Sequence, residues 1–192
     1  MEADREEAIA MYLKTTRLLI RDWDVAQDAT AAIAIYGDSA VTQWIGDQSL
    51  DTTVEAIQAR LQRYRDRAAV FPGLGCWAVV TQHDQVPIGT LLLLPLPDKS
   101  NIPSGHIEIG WHFCSASWGK GYATEAARAV MAYGFDTIRL SAIYAVTLLD
   151  NNRSVRVTQR LGMTDLGISE DYYGGHQLRL FRRTVTDPEP AS

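Results

Sequence analysis

Apolar and polar positions alternate without a break from His106 to Phe113. Ile107, Ile109, Trp111 and Phe113 fall on one side, and His106, Glu108 and His112 on the other. That two-residue period predicts a strand with one buried face. The strand leads into Trp118-Gly119-Lys120-Gly121-Tyr122-Ala123-Thr124-Glu125-Ala126, a tight glycine turn opening an alanine-rich helix from about Tyr122 to Thr137. Upstream, Arg17–Arg21 reads as a short strand. Asp22 and Asp24 are candidate caps for a helix from Val25 to about Tyr36, broken by Gly37-Asp38-Ser39. Asp51-Thr52-Thr53 caps a second helix through about Arg67, with Ile57, Leu61 and Tyr64 on one face.

From Cys76 the period changes. Cys76–Thr81 and Ile88–Leu94 are β-prone runs joined through His83-Asp84-Gln85, which predicts a hairpin. Pro95–Gly105, rich in Pro, Asn and Ser, is expected to be a loop overhanging a substrate entrance. Beyond the alanine-rich helix, Ala142–Thr147 reads as a strand. Asp150-Asn151-Asn152 then caps a helix to about Arg160 that stops at Gly162. Residues 163–173 and 176–184 are expected to form a closing hairpin about Gly174-Gly175. A polar leader over 1–14, helical from Glu6 to Leu13, precedes one domain over 15–185, and 186–192 form a tail.

Composition narrows the class. The chain has 192 residues, 46% hydrophobic and 21% charged, enough to bury a sizeable core without staples. A net charge of −5 argues against broad nucleic-acid binding. The acidity is not uniform, because Arg60, Arg63, Arg65 and Arg67 cluster. Their simplest reading is a solvated helix face; contact with an acidic substrate is the other. Two cysteines, Cys76 and Cys114, fit a reducing compartment. The acidic N-terminus does not match a signal peptide, and the apolar run around Leu91–Leu96 is too short to span a membrane. A cytoplasmic protein with no membrane partner is expected.

The glycine turn carries the first chemical signal. Gly119 and Gly121 allow close approach to the backbone and conformations closed to other residues. The amides from Gly121 to Thr124 would be the unpaired donors of a helix N-terminus, a site suited to a pyrophosphate. No Gly-Lys-Ser/Thr follows a longer loop, and the third glycine of Gly-x-Gly-x-x-Gly is missing.

The order of elements, from the first strand to the closing hairpin, resembles the GCN5-related N-acetyltransferase (GNAT) superfamily over about residues 15–185. Glu108-Ile109-Gly110-Trp111 followed by Trp118 to Ala126 is most similar to the branch containing the ribosomal-protein alanine N-acetyltransferases. Asn151-Asn152-Arg153-Ser154 and Leu161-Gly162-Met163 match that branch's Asn-x-x-Ser and Leu-Gly-Phe/Met elements. The resemblance implies an α/β fold of the α+β type, with a mixed, mostly antiparallel sheet flanked by helices. It also implies acetyl-CoA as cosubstrate and an amine as acceptor. The superfamily's Gln/Arg-x-x-Gly-x-Gly/Ala pattern falls on Trp118, Gly121 and Ala123, with Trp118 departing from it. The implied pyrophosphate site is then the backbone of Gly119, Lys120, Gly121, Tyr122, Ala123 and Thr124.

An ammonium group must lose a proton before it can attack a thioester, and a carboxylate is a suitable base. Glu108 is the candidate, at a position where many relatives carry a catalytic glutamate; a role limited to pairing with the amine's charge is the alternative. His106 and His112 share its face as possible relays, though structural roles suit them better. No ligand cluster supports a metal. The tyrosine that many members use as general acid corresponds to Thr158, counting from Asn151. Ser154 is the replacement candidate, with Tyr172 or Tyr173 as alternatives. Asn151 would bind the pantetheine or orient the acceptor, or cap its helix. Cys114 reads as a small hydrophobe rather than an acyl carrier.

Two further readings compete with an N-acetyltransferase acting by direct attack in a ternary complex. One is a non-catalytic acyl-CoA-binding sensor, the other a generic nucleotide-phosphate binder. The acceptor is a peptide N-terminus or a small-molecule amine, and a homodimer is compatible with the sequence.

Overall fold

A computed structural model of the chain describes residues 11–46 and 48–188. Its strands are β1 (Tyr12–Lys14), β2 (Leu18–Arg21), β3 (Gly75–Thr81), β4 (Pro87–Pro97), β5 (Pro103–Phe113), β6 (Ala142–Leu148), β7 (Thr164–Ser169) and β8 (Leu178–Thr184). The helices are α1 (Ala29–Tyr36), α2 (Ser39–Thr42), α3 (Val54–Val70), α4 (Tyr122–Ala132) and α5 (Asn152–Arg160). One sheet runs in the order β1-β2-β3-β4-β5-β6-β8-β7. All neighbours are antiparallel except β5 and β6.

Alternation along the central strands divides the core in two. Trp77 and Val79 of β3 join Leu91, Leu93, Ile109 and Phe113 against Ala126, Ala127 and Val130 of α4 and Val155 and Val157 of α5. Ala78 and Val80 point the other way, with Trp23, and meet Ala32, Ile35 and Tyr36 of α1 and Ile57 and Leu61 of α3. Burying each of the Val, Leu, Ile and Phe side chains among these contributes about 1.5–3 kcal/mol. The sheet is therefore flanked by helices on both faces, so the polar side of β5, expected to be the open one, is covered too and Glu108 is buried there.

The parallel seam positions the site. β5 and β6 pair in register only at Glu108 and Tyr144. Beyond that pair, Ile109–Phe113 of β5 and Val146–Leu148 of β6 line a shared cleft of about 940 Å³. The sheet opens where its continuous hydrogen bonding ends.

Several boundaries differ from the sequence reading. Within the segment expected to be helical to Leu13, residues 12–14 are β1, paired with Leu19–Arg21; residues 1–10 lie outside the described residues. The first helix begins at Ala29 rather than Val25. Asp24 instead caps a turn through its Oδ1, accepting from the amides of Ala26 and Gln27 at 3.0 and 2.9 Å. Asp28, at the N-cap, makes no side-chain cap because Arg21 holds its carboxylate at 2.7 and 2.9 Å. Asp38 opens the short α2, where the sequence pattern predicts only a break.

The expected loop Pro95–Gly105 is mostly strand. β4 continues to Pro97 and β5 starts at Pro103, leaving a turn over 98–102 folded around the Asp98 carboxylate. The prolines are accommodated at a register shift between Pro95 and Pro97, where ladder bonding is interrupted anyway. The expected helix to Thr137 changes to a π-helical turn over Tyr133–Thr137. In the closing hairpin, β7 ends at Ser169, so Tyr172 and Tyr173 belong to the connection rather than to a strand.

Candidate active site

The glycine turn takes the expected form. After β5 a 3₁₀ turn over Ser115–Ser117 carries the chain to Gly119 and Gly121, at φ +76° and +78°. Gly121 is the N-cap of α4 and offers no side chain to the helix. The first helical bond is Glu125 N–H to the Gly121 carbonyl at 3.0 Å. The amides of Tyr122, Ala123 and Thr124 thus precede the hydrogen-bonded ladder and point out of the helix end. Thr124 Oγ1 is buried there without a partner among the described residues. A helix N-terminus with free amides and an orphaned hydroxyl fits a phosphate group.

Two interactions that the sequence did not reveal hold this turn. Arg17, in the β1–β2 turn, donates from its guanidinium to Glu125 and to the Lys120 carbonyl, at 2.7 and 3.0 Å. The Arg17 amide and the Thr15 hydroxyl also donate to Glu125 Oε1, at 2.9 and 2.6 Å. Partial burial acts to raise the Glu125 pKa, but these donors outweigh it and hold the carboxyl below its ordinary value. Arg17 also lies over the Tyr122 ring, 4.6 Å from its centroid. On the other side, Arg153 stacks over Trp118 at 4.3 Å, while the Trp118 indole N–H donates to the Phe113 carbonyl at 2.8 Å. Trp118 is therefore a wall that joins β5, the turn and α5.

Gly119, Gly121, Tyr122, Ala123 and Thr124 all line the cleft with Trp118; Lys120 does not, and contributes its carbonyl to the Arg17 contact. Arg153, Arg156 and Arg160 recur on one face of α5 and line the same cleft. That is a basic wall beside the free amides.

Glu108 is deeply buried, at 6% exposure, yet it borders the cleft. Burial pushes its carboxyl up to about 7, against the opposing effects of a Tyr173 hydrogen bond and the Arg67 charge. Tyr173 O–H donates to Glu108 Oε2. Tyr173, Gly174 and Gly175 are consecutively left-handed, at φ 48°, 74° and 83°. This tight turn aims the phenol into the seam. Burial, together with the nearby Glu108 charge, pushes the Tyr173 phenol pKa up. Tyr173 is thus a partner of the carboxylate, a role the sequence reading did not include.

Asn151 caps α5 by accepting from the Ser154 amide at 3.1 Å, and both residues line the cleft. Thr158 is fully buried and its hydroxyl donates to the Val155 carbonyl at 2.8 Å, inside its own helix. It is absent from the cleft lining. His106 stacks on Tyr144 at 4.2 Å and hydrogen-bonds Tyr172 at 2.7 Å, away from the cleft lining. His112 does line the cleft; its Nδ1 lies 3.4 Å from the Tyr36 hydroxyl, which in turn meets Thr90 and Tyr64 at 2.5 and 3.1 Å. Cys114 packs at the edge of the α1/α3 core. The cleft thiol is Cys76, which burial pushes up to about 12, leaving it protonated and a poor nucleophile.

The arginine cluster on α3 does not form one solvated face. Arg60 is buried, paired with Asp51 at 2.5 Å and lying over Tyr36 at 4.6 Å. Arg63 and Arg67 line the cleft, whereas Arg65 lies by a separate depression with Asp24 and Asp28.

Comparisons with known proteins bear on the family and the fold. Residues 17–164 match the family model described as "Acetyltransferase (GNAT) domain". The chain is 31% identical over 154 residues to the uncharacterized N-acetyltransferase YnaD of Bacillus subtilis, covering 80% of this chain and 82% of that protein. Its fold is similar to the GNAT-family acetyltransferase of Bacillus anthracis, with a TM-score of 0.73, 25% identity, and coverage of 91% and 98% of the two chains. The ribosomal-protein-S5-alanine acetyltransferase of Vibrio fischeri shares the fold at a TM-score of 0.70 and 18% identity, over 94% of this chain and all of that one.

Proposed function

The chain belongs to the GNAT family of acetyltransferases, and from that premise we propose that it transfers the acetyl group of acetyl-CoA to a primary amine. The observation that carries this reading is convergence. Free helix-terminal amides, a basic wall and a buried carboxyl near neutral pKa all meet in one cleft of about 940 Å³.

Acetyl-CoA supplies an activated thioester carbonyl. The amides of Tyr122–Thr124 and the arginines of α5 suit its phosphates. Asn151, already oriented by its cap to Ser154, lines the cleft and is suited to bind the pantetheine or orient the acceptor. Glu108 accepts the proton that the incoming amine must lose. The amine nitrogen then bonds directly to the carbonyl carbon as the carbon–sulfur bond breaks, both substrates being held at once. Ser154 donates a hydrogen bond to the departing sulfur, which leaves as a thiolate and takes up the second proton that the nitrogen sheds on becoming an amide. With a thiol pKa of about 8.5, that thiolate needs only modest help.

The acceptor is a peptide N-terminal α-amine or a small-molecule amine, and a reducing, cytoplasmic setting suits the two free cysteines. The test is release of free thiol from acetyl-CoA across a panel of peptides and small amines. Acetyl-CoA binding without release on any acceptor would favour a non-catalytic sensor and overturn the proposal.

A further inference from the structure

Among the described residues, only one carboxylate lines the cleft, Glu108. Two groups of arginines face it. Arg153, Arg156 and Arg160 stand on α5, beside the free amides of α4. Arg63 and Arg67 stand on α3, which packs on the opposite face of the sheet. Spaced four residues apart, they are neighbours one helical turn removed. The donor's phosphates suit the first group, so the second is left for something else.

The α3 pair is also chemically free. Arg60, on the same stripe, is occupied by Asp51, Ser49 and the Tyr36 ring. Arg63 and Arg67 make no ion pair or hydrogen bond with any described residue. Arg67 stands close enough for its charge to act on Glu108, Cys76 and Tyr173. Two guanidinium groups with no ion-pair partner among the described residues therefore line the cleft from one stripe of α3, with Arg67 within reach of Glu108. In a chain of net charge −5, that local excess of positive charge needs an explanation. A purely cationic amine would be repelled there.

We infer that the acceptor is an amine that also carries a carboxylate, which Arg63 and Arg67 hold while Glu108 faces the amine. Guanidinium groups bind carboxylates through paired, charge-assisted hydrogen bonds, which fix orientation as well as position. Free amino acids and peptides with an acidic side chain next to the N-terminus share this chemistry. The inference rests on the acetyltransferase reading and specifies its acceptor.

The experiment compares matched acceptors at saturating acetyl-CoA by thiol release. One arm uses an L-amino acid against its α-carboxamide; the other uses the C-terminally amidated dipeptides Ala-Glu-amide against Ala-Gln-amide, so that only one partner of each pair carries a carboxylate. In whichever arm holds the true acceptor class, kcat/KM is expected to favour the carboxylate by about 10-fold or more, and added salt should shrink the preference. In the double variant Arg63→Gln/Arg67→Gln the ratio should fall toward one. Both side chains are exposed, so the variant is expected to fold, and circular dichroism checks this. Arg65→Gln, on the same helix but outside the cleft, should leave the ratio unchanged. Equal or better use of the uncharged partner in both arms overturns the inference while leaving acetyl transfer intact. A ratio that survives the double variant overturns the role of these arginines. Acetyl-CoA binding with no transfer to any acceptor would instead overturn the acetyltransferase reading, and this inference with it.

Discussion

Replacing Glu108 by Gln separates the two roles a buried carboxylate can have. The amide keeps the shape and can still accept from Tyr173, so the packing around β5 should be retained. It cannot take a proton from an amine. Turnover is expected to fall about 10²–10⁴-fold, the usual loss for a general base. Stability should move the other way. Burial raises the Glu108 carboxyl from 4.5 to about 7, a difference of about 2.5 pH units at roughly 1.36 kcal/mol each, or about 3 kcal/mol. The sign follows from linkage. A carboxyl whose pKa is raised on folding stabilises the fold at pH below its unfolded value, and that stabilisation is lost as pH rises through the folded value. Above pH 7 the wild type therefore carries a buried charge that the glutamine variant lacks.

Near pH 4.5 the two proteins should melt together. By pH 8 the variant should be more stable by about 3 kcal/mol, which at roughly 2–4 °C per kcal/mol for a chain of this size is several degrees or more in Tm. Thermal melts from pH 4.5 to 8.5 measure this, and steady-state kinetics measure turnover. A variant with wild-type turnover on the true acceptor would make Glu108 structural. A variant that is less stable at pH 8 would refute the reasoning from burial.

Gly121→Val places a branched Cβ at φ +78°, and acetyl-CoA affinity by equilibrium titration is expected to fall at least 10-fold. Ser154→Ala should cost about 10–100-fold in turnover, roughly 1.4–2.7 kcal/mol of barrier, because Ser154 lines the cleft and its hydroxyl is the proposed donor to the sulfur. Thr158→Ala should cost less than threefold, since that hydroxyl is satisfied inside α5; steady-state kinetics that reverse this order would relocate the acid. Tyr173→Phe removes a donor that lowers the Glu108 pKa, so the acidic limb of the kcat/KM–pH profile should move upward from near 7, and an unmoved limb would remove Tyr173 from the site.

What the sequence made legible was local. The alternation of β5 placed Glu108 on the polar side, and the turn glycines did adopt left-handed conformations ahead of a helix. Asn151 capped α5, and Gly162, at φ +70°, ended it, as their positions implied. What stayed hidden depended on contacts between distant residues. Arg17 and Glu125 are 108 positions apart, and Tyr173 and Glu108 are 65 apart. No periodicity records such pairs. The prolines misled for a related reason: Pro95 and Pro97 normally signal a break, but a register shift on β4 removes the cost of their missing donors. Arg60 read as solvated because its partners, Asp51, Ser49 and Tyr36, meet it only once α1 and α3 pack together.

The electrostatics of the cleft fit its proposed chemistry better than either a fully solvated or a fully isolated carboxylate would. In water a glutamate near 4.3 is always ionised at neutral pH, but it is a weak base toward an ammonium group. Burial alone would raise the carboxyl until it was protonated and useless. At Glu108 burial raises the pKa, while the Tyr173 hydroxyl and the Arg67 charge oppose it, and the balance falls near 7. There an appreciable fraction is ionised and each ionised group is as basic as neutral conditions allow, the optimum expected of a general base. The carboxylate that binds Arg63 and Arg67 would offset part of the guanidinium charge near Glu108. Acceptor binding would then raise the pKa of Glu108 further and make it a stronger base when the amine arrives. On this reasoning the acidic limb of kcat, which reports the bound complex, should lie above that of kcat/KM for a carboxylate-bearing acceptor. The two limbs should coincide for the uncharged analogue. A pH series on both acceptors measures the offset, and equal limbs for the carboxylate acceptor would uncouple Glu108 from the arginine pair.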